Sequence, residues 1–150
     1  MLEQRLEQEI KAALIAGDSV KVTTLRGLKS TLLNIKVAEG SRNQPMADDQ
    51  VIAIFAKEAK KRQESADLYA QGGNQAKADA ELTEKALIET YLPTQLDETA
   101  IVTVIDETIA ELGVSDMKGM GPVIAAVKAK TAGAADGGVI ARLVKERLGQ

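Results

Sequence analysis

Apolar residues recur every three or four positions along almost the whole chain, and no stretch shows the two-residue alternation of a half-buried strand. Such spacing gathers apolar side chains on one face of a helix and leaves the other face polar. Leu2, Leu6, Ile10, Ala13 and Leu14 form a first stripe that stops at Gly17. Asp18 or Ser19 suits the cap of a second helix, whose stripe is Val22, Leu25, Leu28, Leu32 and Ile35. Gly40 and Pro45 mark the following stretch as a loop. A third helix is predicted from near Ala47 or Asp48, where Asp48 and Asp49 favour the positive end of its dipole. Its inner face is Val51, Phe55, Ala59, Ala66 and Tyr69, and Gln71-Gly72-Gly73 ends it. Asn74 is the expected cap of a fourth helix running to Leu92 and halting at Pro93. That helix has a weak apolar face at Ala76 and Ala80 and a strong one at Leu87, Ile88, Tyr91 and Leu92.

The segment Pro93-Thr94-Gln95-Leu96 reads as a seam. Beyond it, Asp97 caps a helix with Ile101, Val104, Ile105, Ile109 and Leu112 inward and Gly113 as its stop. A second helix is expected within about 116–131, with Met120, Ile124 and Val127 inward and Pro122 confined to its first turn. Asp136 caps a third, burying Ile140, Leu143, Val144 and Leu148. The fold class is therefore all-α: an N-terminal region of about four helices over 1–93 and a C-terminal three-helix, bundle-like unit over 94–150. Abundant Ala and an aromatic content of 2% agree, since strands draw on aromatic and β-branched residues.

The chain contains no His and no Cys. Ser-His-Asp triads, Cys-His pairs, disulfides and His- or Cys-based zinc sites are excluded with them. Neither a metal nor a cofactor is expected. No apolar run approaches the roughly 18 residues of a bilayer span. The amphipathic start, Met1 to Leu6 followed by Glu7 and Glu9, lacks the pattern of a signal peptide. No membrane association and cytoplasmic residence are the expectations. A net charge of −3 argues against indiscriminate binding to phosphate backbones, so DNA is not an expected partner. Residues 1–92 carry 13 basic and 14 acidic groups and residues 93–150 carry 6 and 8, so any nucleic-acid contact must come from a local patch.

Two basic sets are candidates. Lys57, Lys60 and Lys61, next to Arg62, lie on one side of the third helix. Lys118, Lys128, Lys130, Arg142, Lys145 and Arg147 belong to the C-terminal unit. The plain reading of the first set is a solvated face with ion pairs such as Glu58–Arg62. The glycines at 119, 121, 133, 137 and 138 follow no strand and match no phosphate-loop spacing, so turns and close packing explain them. Glu81, Glu84, Glu89 and Asp48-Asp49 read as exposed helix acids, and Ser30 and Ser65 as packing or capping residues. No catalytic residue is assigned.

Three stretches then carry a resemblance. They are Leu25-Arg26-Gly27-Leu28-Lys29-Ser30; Val51-Ile52 with Lys57-Glu58-Ala59-Lys60-Lys61-Arg62-Gln63-Glu64-Ser65; and Tyr91-Leu92-Pro93-Thr94-Gln95-Leu96 with Met117-Lys118-Gly119-Met120-Gly121 and Ala135-Asp136-Gly137. Together they resemble the GatB/YqeY family, small proteins related to the C-terminal tail of the B subunit of aspartyl/glutamyl-tRNA amidotransferase. The resemblance implies an all-helical fold in two parts. In those enzymes the catalytic domain and the ammonia-supplying subunit are separate, and the tail helps hold tRNA. It thus implies a non-catalytic accessory module that binds tRNA, or an amidotransferase or aminoacyl-tRNA synthetase complex. Lys128, Lys130, Arg142 and Lys145 would lead that contact, with Lys118, Lys57, Lys60 and Lys61 secondary. The alternatives are a helical protein–protein adaptor with no nucleic-acid role and, by kinship alone, a carbon–nitrogen ligase with glutamine as amide donor.

Overall fold

Most helices of the chain begin where a short polar side chain can satisfy their first unpaired N–H groups. In the computed structural model, which describes residues 1–149, Asp18 accepts from the Lys21 amide and Asn74 from that of Lys77. Asp97 and Asp136 do the same for Ala100 and Val139. The elements are α1 (Leu2–Ala16), α2 (Ser19–Ala38), α3 (Asp48–Gln71), α4 (Gln75–Glu89), α5 (Glu98–Leu112), α6 (Met120–Thr131) and α7 (Gly137–Leu148). A 3₁₀ turn at Met117–Gly119 leads into α6. Among the described residues every regular element is helical, and the fold is all-α. The chain divides into two compact units, Met1–Leu92 and the part from Pro93 onward.

In the first unit, Leu6 of α1, Leu25 and Leu28 of α2, Val51 and Phe55 of α3 and Ile88 of α4 close one core. Phe55 meets Tyr91 edge-on, with ring centroids 5.4 Å apart. Just past α4, Tyr91 is fixed from its other side. Its hydroxyl donates to Glu9 at 2.5 Å, and the Arg5 guanidinium lies 4.3 Å from its ring centre. Arg5 also donates to Glu9 and to the Thr90 carbonyl, so α1 is tied to the end of α4 by one polar cluster. Burial raises the Tyr91 phenol above its ordinary range, and the Glu9 hydrogen bond adds to this. For Glu9, burial acts upward, but the Tyr91 and Arg5 hydrogen bonds with the Arg5 and Lys21 charges outweigh it and lower its pKa.

The structure corrects several expected faces. Leu14 is exposed near the end of α1, and Tyr69, expected on the inner face of α3, stands out beside Lys77. Toward the turn of the α3–α4 hairpin the buried positions are Ala66 and Ala78, not Ala76 and Ala80. Small residues let the two helices approach there, and a ring does not fit between them. Helix α4 ends at Glu89 rather than Leu92. Pro93 has no N–H to continue it and disfavours helical backbone at Leu92.

In the second unit, Ile101 and Ile105 of α5, Val123 and Val127 of α6, and Ile140 and Val144 of α7 are essentially inaccessible. The inner line of α6 therefore runs through Val123, and Met120 and Ile124 flank it. Leu112 is exposed, whereas Thr108 is fully buried and donates to the Val104 carbonyl at 2.7 Å. Gly119 sits so close to Val114 that a Cβ built on it would lie 2.1 Å from Val114 Cγ1. Ala132 ends α6 at φ 45°, a left-handed conformation that costs a residue with a Cβ about 1–2 kcal/mol.

Four substitutions, one of them a control, test these constraints by urea or thermal denaturation. Gly119→Ala should destabilise by about 1–3 kcal/mol through overpacking, while Gly121→Ala, with open space around its Cβ, should cost nothing measurable. Ala132→Gly should be stabilising by about 0.5 kcal/mol, because relief of the left-handed strain exceeds the added unfolded-state entropy. Tyr91→Phe keeps the ring and loses the hydrogen bond to a carboxylate, at a cost of about 1–2 kcal/mol near neutral pH. Since folding lowers the Glu9 pKa, its contribution is complete above the ordinary value of 4.5 and fades as pH falls through the lowered one. The Tyr91→Phe deficit should therefore shrink on acidification below 4.5.

A candidate polyanion-facing site on the C-terminal unit

The cations of the C-terminal unit fall into two classes. Lys130 points from α6 toward α5, donating to Thr108 Oγ1 at 3.0 Å and to Glu111 at 2.6 Å. It thereby helps satisfy the hydroxyl that α5 buries. Arg142 of α7 is held between Glu98 at the start of α5 and Glu146 one turn further along its own helix. Its pKa is raised first by the Glu146 hydrogen bond and then by the Glu98 charge. Arg147 makes two parallel bonds to Asp106 of α5, at 2.8 and 2.7 Å. Lys118, Lys128 and Lys145 form the second class: exposed, and with no carboxylate at ion-pair distance among the described residues.

The four residues expected to lead a nucleic-acid contact thus do not present one shared face. Lys128 and Lys130 are two positions apart on α6 and turn opposite ways. Lys130 goes to α5, while the end of the Lys128 side chain lies beside Gly137, where a Cβ would come within 3.1 Å of its Cε. Lys145 lies one turn from Arg142 on α7.

In the N-terminal unit Lys57, Lys60 and Lys61 are exposed on α3. Lys61 donates to Glu58 at 2.8 Å, and Lys60 also has an interaction of its own. Arg62 leaves the run and turns inward, bonding Glu58 at 3.2 Å and lying 3.3 Å from Glu84 and 4.0 Å from Glu81. Glu81 and Glu84 of α4 thereby act as partners of Arg62 and not as free carboxylates. Glu58–Arg62 is legible from the i, i+4 spacing. Asp106–Arg147 and Thr108–Lys130 span 41 and 22 residues, and no local signal announces them.

The remaining candidate acids have structural partners as well. Asp48 accepts from the Leu2 amide at 2.8 Å, and Glu89 pairs with Lys85 at 3.4 Å. No cluster of three or more metal-ligating side chains occurs among the described residues. A concavity of about 200 Å³ between α1 and α2 has Leu6 and Leu32 among its lining, with Glu3, Lys29, Lys36 and Arg42 around it. Lys36 there is engaged by Glu3 at 3.3 Å, and Glu3 also accepts the Met46 amide. Among the described residues no helix is long and apolar enough to cross a membrane. Among the described residues of the C-terminal unit, three lysines have no carboxylate at ion-pair distance and three cations are engaged by acids.

Comparison with known proteins agrees with this fold. The family model described as Yqey-like protein matches residues 3–148. Altered inheritance of mitochondria protein 41, mitochondrial, from Eremothecium gossypii is 32% identical over 87 residues, covering 58% of this chain and 46% of the relative. The protein of the same name from Vanderwaltozyma polyspora is 29% identical over 87 residues, with the same coverage of 58% and 46%. The matched stretch is thus a little under half the length of these relatives. With the family pattern running from residue 3 to residue 148, the chain belongs to the YqeY-like family.

Proposed function

We propose that this protein is a non-catalytic accessory module of tRNA metabolism, whose C-terminal unit contacts tRNA alone or within an amidotransferase or aminoacyl-tRNA synthetase complex. The observation that supports this reading is the set of three exposed lysines, Lys118, Lys128 and Lys145, with no carboxylate at ion-pair distance among the described residues, on a unit with its own hydrophobic core. Each is placed to neutralise a phosphate without first leaving a carboxylate. The net charge of −3 opposes binding to phosphate backbones in general, so the contact in this reading is confined to that patch. The chain lacks His and Cys, and its carboxylates serve as caps and ion-pair partners, so transamidation belongs to a partner enzyme in this reading. The compartment is then that of the tRNA pool it serves. We assign this chain to the cytoplasm, although the names of the yeast relatives place those proteins in mitochondria.

A second reading, a protein–protein adaptor, is favoured by one feature. At the turn joining α1 to α2, Ile15 is 90% exposed, with the exposed Leu14 and Val20 nearby in sequence.

Binding of labelled tRNA to the purified protein at low and physiological salt, with duplex DNA as competitor, separates the two. The expected result is saturable binding that resists the DNA. The triple variant Lys118→Ala, Lys128→Ala, Lys145→Ala should weaken it about tenfold or more and reduce the salt slope by about 2 to 3. Substituting Lys57 and Lys61 should have the smaller effect. Absence of binding even at low salt would remove the tRNA reading and leave the adaptor.

A further inference from the structure

The three engaged cations of the C-terminal unit have one thing in common: each is held by an acid of α5. Glu98 takes Arg142, Asp106 takes Arg147, and Glu111 takes Lys130. Glu98 and Asp106 lie eight residues apart, about 12 Å along the helix, and both reach α7. The pairs are open to solvent: the Arg142 side chain is 48% exposed and that of Arg147 39%. Burial therefore does not shield these guanidinium groups from an external anion. What occupies them is carboxylate, in the Arg147–Asp106 case through the same two-pronged geometry that an arginine offers a phosphate.

We infer that α5 acts as a built-in phosphate mimic, its Glu98 and Asp106 carboxylates masking a latent polyanion-binding strip formed by Arg142 and Arg147. A guanidinium paired with a carboxylate contributes almost no net charge beyond a Debye length, so it neither attracts a phosphate backbone nor adds to its salt dependence. An incoming backbone gains these contacts only by displacing the α5 acids and, at Arg142, Glu146 as well. This sets a threshold: weak polyanions meet the three free lysines alone, whereas a ligand shaped to fit the unit recruits the arginines in addition. The inference rests on the tRNA reading for the identity of the natural ligand, but the masking itself is a property of the α5–α7 seam.

The test compares substitutions of equal charge on the full-length protein. Asp106→Asn frees Arg147, and Glu98→Gln removes the α5 partner of Arg142 and leaves it Glu146 of its own helix. Glu107→Gln, on the same helix, removes one negative charge from a residue with no ion-pair partner among the described residues. Circular dichroism and thermal melting confirm that each variant is folded. Binding is measured with labelled tRNA and, separately, with heparin, a polyanion that contains no RNA. The expected result is that Asp106→Asn tightens heparin binding and steepens its salt slope by about 0.7 to 0.9, with a smaller change of the same sign for Glu98→Gln, because Arg142 keeps Glu146. For Asp106→Asn that corresponds to about a threefold greater loss between 50 and 200 mM salt, while Glu107→Gln gives no such change. Equal tightening by Glu107→Gln, or no change in any variant, would overturn the masking. If the paired-acid variants gain heparin affinity while no form of the protein binds tRNA, the mask stands and the tRNA reading falls. If the native protein binds tRNA and all three variants match it, the tRNA reading stands and the mask falls.

Discussion

Helix α5 has two jobs that share one set of turns. Ile101 and Ile105 hold it in the C-terminal core, and the same turns carry Glu98, Asp106 and Glu111 outward to cations on α6 and α7. Which positive charges of the unit remain for a ligand depends on that placement. Rotated by one residue so that position 106 faced the core, α5 would bury an acid where Ile105 now packs and would draw that acid away from Arg147. The apolar register and the charge pattern are therefore set together. Lys130 shows the coupling most directly, since its ammonium both balances Glu111 and approaches the fully buried Thr108 hydroxyl.

The N-terminal unit applies the same logic to different chemistry. Its aromatic content is low, and the contact of Phe55 with Tyr91 places the segment after α4 against the core. The Tyr91–Glu9–Arg5 cluster then ties that segment to α1. Along the α3–α4 hairpin, Arg62 turns inward among three acids, Glu58, Glu81 and Glu84, and Thr24 of α2 donates to Glu84. A run that looks in sequence like a strip of positive charge is in fact partly an internal strut. Lys61, paired with Glu58 at 2.8 Å, is for the same reason a weaker candidate for phosphate contact than its place in the run suggests.

The legible parts of the fold were those controlled by neighbours in sequence. Asp18, Asn74, Asp97 and Asp136 each cap the helix that their position announces, and all four inner residues assigned to α7 are buried. Misreadings occurred where a partner helix decides. Ala78 is buried and Ala76 and Ala80 are not, because the angle at which α4 meets α3 selects among nearly equivalent alanines. Val123 takes the centre of α6 and Thr108 a buried place on α5, while Leu112 faces solvent. Hydrophobicity alone ranks these residues in the wrong order. The candidate site was legible as a set of six cations and illegible as a division between free and engaged ones. That division is made by Asp106–Arg147 and Glu98–Arg142, contacts between residues 41 and 44 positions apart.

The chain belongs to the YqeY-like family, and its lack of His and Cys excludes chemistry that needs an imidazole or a thiolate. The central claim is that function resides in a small, selectively unmasked basic patch on the C-terminal unit. Its most direct test is to titrate tRNA into the full-length, isotopically labelled protein and follow backbone amide resonances by NMR. The account predicts that the largest perturbations gather around Lys118, Lys128 and Lys145, with the amides of residues 1–92 little changed. Perturbations centred on residues 1–92, or none anywhere at low salt, would contradict it.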